Sequence, residues 1–424
     1  MSWRISKVRK FFKTLGPGFI AGASDDDPTA IAAYTQAGAR FGYGQLWTAL
    51  FTIPFMTVIQ EMCGRIGLVT GKGLAGVIKN NYSKKILYIL VFLLLIANIV
   101  NIGADLGAMA ASAQLIINIP FILWLIGFTA LTLLMEIFVS YRVYAKFLKY
   151  LALIMLSYVA VAFIVKQDWN QIFISTIIPR IALSKPYLLG LLAILGTNIS
   201  PYLFFWQADE EVEEEVENHK LKIMGRGIPI VKKADIREMN TDTRIGMVFS
   251  NVIVFFICIT AASTLYKFNI TDIETPSQAA LALQPLAGNF AYALFALGII
   301  ASGLLAVPVL AGSASYALAE SFGWKEGLYR KFKQAHGFYG IITIATLVGL
   351  LINFTSVSPF RMLIYSAALN AIVAPLILIF ILLISNSEKI MGKYTNSYWS
   401  NILGILITFL MIIAATALFW TVIF

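Results

Sequence analysis

The stretch "GASDDDPTAIAAYTQAGA", from Gly22 to Ala39, places three consecutive acids and a proline inside an otherwise apolar segment. A proline within a helix removes a backbone hydrogen bond and breaks or kinks the helix. In a lipid bilayer such a break persists only where the backbone is buried in protein or lines a wet cavity. If this segment crosses a membrane, Asp25, Asp26 and Asp27 lie at its point of interruption.

The composition supports a membrane location. Hydrophobic residues make up 59% of the 424 residues and charged residues only 13%, about half of the charged fraction typical of soluble domains. We count about eleven apolar runs long enough to cross a bilayer. They lie near 16–37, 44–68, 86–114, 120–139, 144–166, 186–208, 244–267, 284–317, 337–355, 358–385 and 399–424. We therefore predict an all-α polytopic membrane protein whose single transmembrane domain covers 1–424.

A second break is expected in the sixth run. In "LGTNISPYLFFWQ" (195–207), Pro201 follows the polar residues Thr197, Asn198 and Ser200. The two broken helices each open a set of five runs, 16–166 and 186–385, and an odd number of runs gives the sets opposite topology. Interrupted helices at matching positions of two inverted halves indicate a transporter site. The run 399–424 is then an additional eleventh helix.

Lysine and arginine in alternate loops set the orientation. The N-terminal segment and every second connection are basic, whereas the intervening loops carry few positive charges. By the positive-inside rule the N-terminus is cytoplasmic, and eleven spans place the C-terminus outside. The same rule accounts for the net charge of +10 without a nucleic-acid partner. We expect an integral protein of a prokaryotic inner membrane.

The acids at the first break predict a cation site. A carboxylate in mid-bilayer costs several kcal/mol unless it is paired, neutralised or hydrated, and the carbonyls freed at a break add further oxygen ligands. Asp27, beside the proline, is the foremost candidate, followed by Asp26. A helix end that faces water is the alternative explanation, and it suits Asp25 best.

These segments resemble the NRAMP family of divalent metal transporters. The residues "GPGFIAGASDDDPTAIAAYTQAGA" (16–39) match the family's G-P-G-F, D-P-G-N and Q-A-G-A elements in spacing. "LGTNISPYLFF" (195–205) resembles the family's sixth span, where L-G-A precedes M-P-H-N, and "EMCGRIGLVTGKGLA" (61–75) resembles its second span and the following loop. The resemblance covers nearly the whole chain. It implies a LeuT-like 5+5 inverted repeat with discontinuous helices 1 and 6 that works by alternating access.

The resemblance also implies ion ligands, and several differ here. The family binds its ion through a first-span Asp and Asn, a sixth-span Met sulfur and an Ala carbonyl. Asp27 keeps the acid, Ala30 replaces the Asn, Ser200 replaces the Met, and Thr197 would supply the carbonyl. Loss of the soft sulfur removes a preference for late transition metals. A roomier site of oxygens alone favours a hard ion such as Mg²⁺, which keeps several waters, although Mn²⁺ stays possible.

Positions that the family uses for proton coupling differ as well. Tyr202 stands for the His after the sixth-span proline, and Asn101 and Ala104 stand for the third-span carboxylates. The candidates for coupling or gating are Asp105, Asn101, Tyr202, Asn198 and Asn370. We expect weak or absent proton coupling, since a divalent ion that moves inward gains about 4.6 kcal/mol per 100 mV of membrane potential.

Other possibilities stay open. A carrier for an organic solute such as an amino acid, a proton-coupled Mn²⁺/Fe²⁺ transporter, and a sensor that binds without transport are the alternatives. The segment 209–243, acidic and then basic, is predicted to be a solvated cytoplasmic loop. No enzymatic motif is present in the sequence. Besides the divalent ion and the lipid bilayer, we expect no resident cofactor and no obligatory protein partner.

Overall fold

The computed structural model describes residues 15–139, 141–271, 273, 275–355 and 359–423, and these are almost entirely helical. Within that part of the chain, the single β pairing is an isolated bridge between Ile223 and Arg226. The helices up to the middle of the chain are α1 (Pro17–Asp25), α2 (Pro28–Phe41), α3 (Thr48–Phe51), α4 (Ile53–Thr70), α5 (Leu74–Asn81), α6 (Lys84–Ile116), α7 (Phe121–Phe138), α8 (Tyr141–Ile154), α9 (Ser157–Ile164) and α10 (Trp169–Ile177). The later helices are α11 (Lys185–Asn198), α12 (Pro201–Glu217), α13 (Lys233–Ser263), α14 (Pro276–Phe322), α15 (His336–Ile352), α16 (Pro359–Ser385), α17 (Glu388–Met391) and α18 (Tyr398–Ile423).

Many of these helices have the length and apolar character of membrane spans. In the described part of the chain, seven helical segments are long and apolar enough to cross a membrane. The number rises to nine if each of two sharply bent helix pairs is counted as one span. The chain is therefore an integral membrane protein. Each of the eleven predicted apolar runs coincides with one helix or with consecutive helices, and the count of eleven crossings stays a prediction.

Both expected helix breaks are present. The first helix stops at Asp25 and the next begins at Pro28, and the later pair is separated by Ile199 and Ser200 before Pro201. Each new helix starts with a proline at its first position, where the missing N–H has no intrahelical partner to lose. The prediction of discontinuous first and sixth spans is confirmed.

The predicted solvated loop at 209–243 is partly wrong. Residues 209–217 continue α12 rather than leaving it. Asp209, Glu210, Glu211, Glu213 and Glu215 on this extension of about two and a half turns are all buried. An acidic run typically marks a solvated surface, but here the surrounding ends of α4, α5 and α14 pack against α12 and cover it.

Close glycine contacts hold the first broken helix in place. The helix α1 packs along α13, and a Cβ atom at Gly22 would lie 2.2 Å from the carbonyl carbon of Gly246. A Cβ atom at Gly18 would lie 2.6 Å from the backbone nitrogen of Thr243. Small residues let membrane helices approach this closely and pack by van der Waals contact. The contact fixes the position of the acids that follow α1.

Candidate functional site

The first break is shaped by Asp27. Asp26 and Asp27 have non-helical backbone angles, and the Oδ1 atom of Asp27 accepts a hydrogen bond of 2.7 Å from the N–H of Ala30. This is the N-cap arrangement that aspartate favours, since the carboxylate satisfies one of the orphan N–H groups of the new helix. The buried carboxylate therefore sits at the positive N-terminal end of α2, with Pro28 as the first helical residue.

The second break exposes neutral oxygens rather than charge. The Ser200 hydroxyl donates a hydrogen bond of 2.6 Å to the carbonyl of Thr197. The Thr197 hydroxyl donates back into its own helix, to the carbonyls of Ala193 and Ile194. Since a hydroxyl oxygen carries two lone pairs, Ser200 can still accept a hydrogen bond or contact a cation.

Two hydrogen bonds join the breaks across the molecule. The Tyr202 hydroxyl donates a bond of 2.8 Å to the carbonyl of Ser24, in the last turn of α1. The Tyr34 hydroxyl donates to the Oδ1 atom of Asn198. The last carbonyls of a helix lack intrahelical donors, so Tyr202 satisfies one that the first break has freed. The structure thus brings the two interrupted segments face to face.

A network of amide and hydroxyl groups surrounds the Asp27 carboxylate. Its Oδ2 atom accepts a hydrogen bond of 2.8 Å from Asn101 on α6. The Oδ1 atom of Asn101 in turn accepts from Thr29 at 2.8 Å and from Ser366 on α16 at 2.6 Å. Thr29 also lies 3.2 Å from the Oδ1 atom of Asp105. Three spans therefore converge on Asp27, and the predicted residues Asn101 and Asp105 both belong to this network.

The other two acids of the first break lie on a separate contact. Both carboxylates approach the Ser250 hydroxyl on α13, at 3.4 Å for Asp25 and 3.2 Å for Asp26. One oxygen of each has no hydrogen-bond partner. Asp25 is only 1% exposed, so the suggestion that it faces water at a helix end is wrong. The close packing of α1 on α13 encloses it.

The remaining predicted residues are buried nearby with different surroundings. Ala30 is fully buried and contributes only its backbone N–H to Asp27. Asn198 donates a long hydrogen bond of 3.4 Å to the Thr52 hydroxyl. Asn370 is 3% exposed, and its Oδ1 atom has no hydrogen-bond partner among the described residues. Within the part of the chain that the structure describes, no hydrogen bond links Asn370 to the network around Asp27.

Sequence reasoning missed three hydroxyl residues of this region. Thr29 and Ser366 bridge the network around Asp27, and Ser250 contacts the other two acids. A weak signal existed for each. Thr29 follows Pro28 directly, while Ser366 and Ser250 are isolated polar residues within apolar runs. Ser366 also stands four residues before Asn370, which places both on one helix face.

The charge balance of the site favours a cation. Asp25, Asp26, Asp27 and Asp105 are each at most 4% exposed, and none has a lysine or arginine at ion-pair distance among the described residues. Buried carboxylates without a counter-charge cost several kcal/mol each. In the described part of the chain, no three His, Cys, Asp or Glu side chains form a ready metal-binding group. An ion here would rely on one or two carboxylates with carbonyl, hydroxyl or water oxygens.

Comparison with known sequences gives a match along nearly the whole chain. Residues 18–421 match the sequence model of the family described as natural resistance-associated macrophage protein-like. The protein called divalent metal cation transporter MntH in Caldanaerobacter subterraneus subsp. tengcongensis is 24% identical, over 98% of this chain and 94% of that protein. The MntH protein of Klebsiella pneumoniae subsp. pneumoniae is also 24% identical, over 92% of this chain and 89% of its own length.

Solved structures agree with the fold. A manganese transporter from Eremococcus coleocola superposes with a TM-score of 0.75 at 18% identity, over 97% of this chain and 86% of that structure. Mhp1, a nucleobase-cation-symport-1 family transporter, superposes in a closed conformation with a TM-score of 0.62 at 12% identity, over 96% and 93% of the two chains. The likeness extends to transporters with unrelated sequences, so it reports the shared LeuT-like architecture.

Proposed function

Since this chain belongs to the natural resistance-associated macrophage protein-like family, we propose that it carries a divalent metal ion across the membrane by alternating access. The observation that supports this proposal is the position of Asp27. Its carboxylate caps the helix that begins at the first break, and the second break lies opposite, joined through Tyr202 and Ser24. Transporter sites form where such interrupted helices meet near the bilayer midplane.

The burial of this region supports a mechanism in which the site must open. Asp27, Thr197 and Ser200 are each no more than 4% exposed, so the site is closed to solvent in this conformation. An ion can enter or leave only if the packing around the breaks opens, and alternating access proposes that it opens on one side at a time. The hydrogen bonds from Tyr202 to Ser24 and from Tyr34 to Asn198 cross between the breaks, and opening would stretch or break them.

A hard ion suits the oxygen groups at the breaks. The Ser200 hydroxyl and the Thr197 carbonyl lie on the second break, where Ser200 stands in place of the family's methionine. We propose Asp27 as the charged ligand, with Thr197 and Ser200 as neutral oxygen ligands and Asp26 as a second acid within reach. Ala30 leaves space where a longer side chain would reach the ion. Such a site favours Mg²⁺ with part of its hydration shell, and Mn²⁺ is the competing substrate, since the Eremococcus coleocola relative is named a manganese transporter.

Proton coupling is proposed to be weak or absent. Asp105 is the carboxylate nearest to the network, and Thr29 links it to Asn101 and so to Asp27. The Tyr202 hydroxyl donates a hydrogen bond to the Ser24 carbonyl, which links the two breaks. The membrane potential supplies enough energy for inward movement of a divalent ion, about 4.6 kcal/mol per 100 mV. The N-terminus is proposed to be cytoplasmic, in a prokaryotic inner membrane.

Ion flux into proteoliposomes tests this function. The protein is reconstituted, Mg²⁺ or Mn²⁺ is added outside, and internal ion and internal pH are followed together under an applied negative-inside potential. We expect saturable Mg²⁺ entry that depends on the potential and leaves the internal pH unchanged. Entry of Mn²⁺ with acidification, and exclusion of Mg²⁺, would refute both the preference for a hard ion and the absence of coupling.

The organic-solute alternative gains no support from the site. It rested on the aromatic run that includes Tyr202, Phe204, Phe205 and Trp206. These side chains are at most 1% exposed and pack in the core; Trp206, for example, meets the ring of Tyr316 edge-on. They line neither the cavity beside Glu320 nor the cavity beside Asp242. Uptake of an amino acid that is unaffected by Asp27→Ala would revive this alternative.

A further inference from the structure

A cavity of about 530 Å³ lies where α5 meets the end of α14, away from the helix breaks. Its volume falls within the range of roughly 300–1,000 Å³ that small-molecule sites occupy. Five basic residues from three parts of the chain line it: Lys72, Lys79, Arg226, Lys325 and Arg330. We call this space the basic cavity. The sign of the charge in its wall indicates an anionic ligand.

The cations of the basic cavity have no direct counter-ion in the protein. Among the residues that the structure describes, none of the five lies at ion-pair distance from a carboxylate. Lys79 donates a hydrogen bond of 3.0 Å to the backbone carbonyl of Glu320, and the Nε atom of Arg330 donates one of 2.9 Å to that of Glu326. These bonds position the two side chains and leave further N–H donors on each. Phosphate oxygens form strong, charge-assisted hydrogen bonds with such donors.

Two carboxylates also belong to the wall, and they do not cancel its positive charge. Glu320 accepts hydrogen bonds of 2.7 Å from the N–H groups of Gly73 and Gly76, so its oxygens turn toward the backbone at the start of α5. Glu326 is 8% exposed, and burial raises its pKa to about 9. Glu326 is therefore mostly protonated at neutral pH. The five cations outnumber the acids even if both carboxylates are ionised.

A row of stacked aromatic rings leads from the basic cavity to the outer surface of the helices. Trp324 lines the cavity and stacks on Phe322, with 5.3 Å between the ring centres, and Phe322 stacks on Tyr88 of α6 at 5.6 Å. The three side chains are between 42% and 55% exposed. Tryptophan and tyrosine are enriched at the level of the lipid headgroups. The row therefore places the mouth of the cavity at the membrane–water interface.

The surface beyond this row is apolar. Phe92 follows Tyr88 by one helical turn on the same face of α6, and it is 61% exposed. The neighbouring Ile89 is 59% exposed. A molecule that reaches from the basic cavity across the aromatic row thus meets positive charge at one end and apolar side chains at the other. A phospholipid has this polarity, whereas a free phosphate would use the cavity alone.

We propose that the basic cavity binds the headgroup of an anionic phospholipid, whose acyl chains lie along the outer face of α6. Basic pockets between spans on the cytoplasmic side hold anionic headgroups, and this lysine-rich end of the molecule is the one predicted to face the cytoplasm. The headgroup supplies the counter-charge that the wall lacks, and it joins α5 to the segments that follow α12 and α14. The site is separate from the helix breaks and does not rest on the proposed transport function.

Native mass spectrometry of the full-length protein in detergent tests the proposal. The protein is titrated with phosphatidylglycerol and, separately, with phosphatidylcholine of the same acyl chains, which has a phosphate but no net charge. We expect one phosphatidylglycerol to bind at least about tenfold more tightly than phosphatidylcholine. Arg226→Gln combined with Lys325→Gln removes two exposed cations of the wall. Each such cation adds to the attraction for an anionic lipid, so this double variant should bind phosphatidylglycerol at least about tenfold more weakly.

A matched control is Lys331→Gln combined with Lys333→Gln. These two exposed lysines lie in the same connection between α14 and α15 but outside the cavity lining, so the loss of charge is equal. The control should bind phosphatidylglycerol as the wild type does. Both double variants change only exposed side chains, and unchanged thermal midpoints would show that both are folded. Equal loss of binding in the two variants would assign the affinity to general surface charge and overturn the proposal, as would equal binding of the two lipids by the wild type.

A further arm separates a lipid from a soluble anion. The complex with phosphatidylglycerol is washed with inorganic phosphate or with chloride at equal ionic strength, and the retained lipid is counted. We expect equal retention, since the acyl chains also hold the lipid at α6. Selective displacement by phosphate would show a site for a soluble anion and overturn the assignment to a lipid. Absence of ion flux in proteoliposomes would count against the transport function and leave this result untouched.

Discussion

The two helix breaks differ in what they contribute. The first carries three acids, and its leading helix is locked against α13 by glycine contacts at Gly22 and Gly246. The second carries no charged side chain at the break, and the Ser200 hydroxyl donates to the Thr197 carbonyl near the end of the preceding helix. Both breaks start a new helix at a proline, so they share one backbone arrangement. They differ in the chemical groups that they place at the break. On the proposed function, the first break supplies the attraction for a cation, and the second supplies neutral oxygens that select among cations.

The sharpest test of this division is removal of the charge at the first break. Asp27→Asn keeps the size of the side chain and the N-cap acceptor but loses the negative charge. We expect uptake of Mg²⁺ into proteoliposomes to fall by roughly 100-fold or more, since each 1.4 kcal/mol of lost interaction is a factor of ten. Asp235→Asn, a change in the Lys220 ion pair far from both breaks, is the control and should transport normally. Uptake by Asp27→Asn at the wild-type rate would show that the acid is not the ion ligand.

The rigidity of the first break is tested by Gly22→Ala. The added methyl group would lie 2.2 Å from the carbonyl carbon of Gly246 and 2.3 Å from its oxygen, and neither backbone atom can turn away. Overpacking of this kind costs about 1–3 kcal/mol, so the thermal midpoint measured by intrinsic fluorescence should fall by about 1–3 °C. Gly127→Ala in α7 is the control, because nothing lies within 4 Å of its Cβ position. An unchanged midpoint for Gly22→Ala would mean that α1 moves freely on α13.

Most of the fold was predictable from the sequence, because apolar runs and helix-breaking prolines act locally. Pro28 and Pro201 define both breaks without any knowledge of the tertiary structure. Asp27 was also predictable as a site residue, because a carboxylate inside an apolar span is energetically costly and typically marks a functional site. The environment of Asp27 was not predictable from the sequence. Thr29 and Ser366 complete the network from different spans, and hydroxyls in apolar helices usually bond to their own backbone.

The burial of the acids on the last turns of α12 could not be predicted from the local sequence. The run "DEEVEEEVE" (209–217) has the composition of a solvated face. Gly73 lies against the Asp209 carboxylate, and Glu213 accepts hydrogen bonds from the Tyr316 hydroxyl on α14 and from the N–H of Leu328. These contacts join residues more than one hundred positions apart. Only the assembled tertiary structure shows that the acids turn inward.

The link between the breaks is tested by Tyr202→Phe. This change removes the hydroxyl that satisfies the Ser24 carbonyl and leaves the ring in place. A buried polar group without its partner costs about 1–3 kcal/mol, and we expect a roughly tenfold loss in uptake rate because the closed arrangement of the two breaks is disfavoured. Tyr150→Phe on the exposed side of α8 is the control. If Tyr202→Phe transports normally, the two breaks do not depend on this bond to close together.

The selectivity of the second break is tested by Ser200→Met, which adds a thioether where the hydroxyl now stands. Soft sulfur stabilises Mn²⁺ more than Mg²⁺, so we expect the ratio of Mn²⁺ to Mg²⁺ uptake in competition to rise about tenfold, equivalent to about 1.4 kcal/mol. Ser200→Ala is the matched control: it removes the hydroxyl without adding sulfur, and it should weaken both ions without favouring Mn²⁺. A rise in the ratio for both variants would assign the effect to loss of the hydroxyl rather than to gain of the sulfur. No rise in either would mean that ion choice is decided at the first break, and the division of roles between the two breaks would then be wrong.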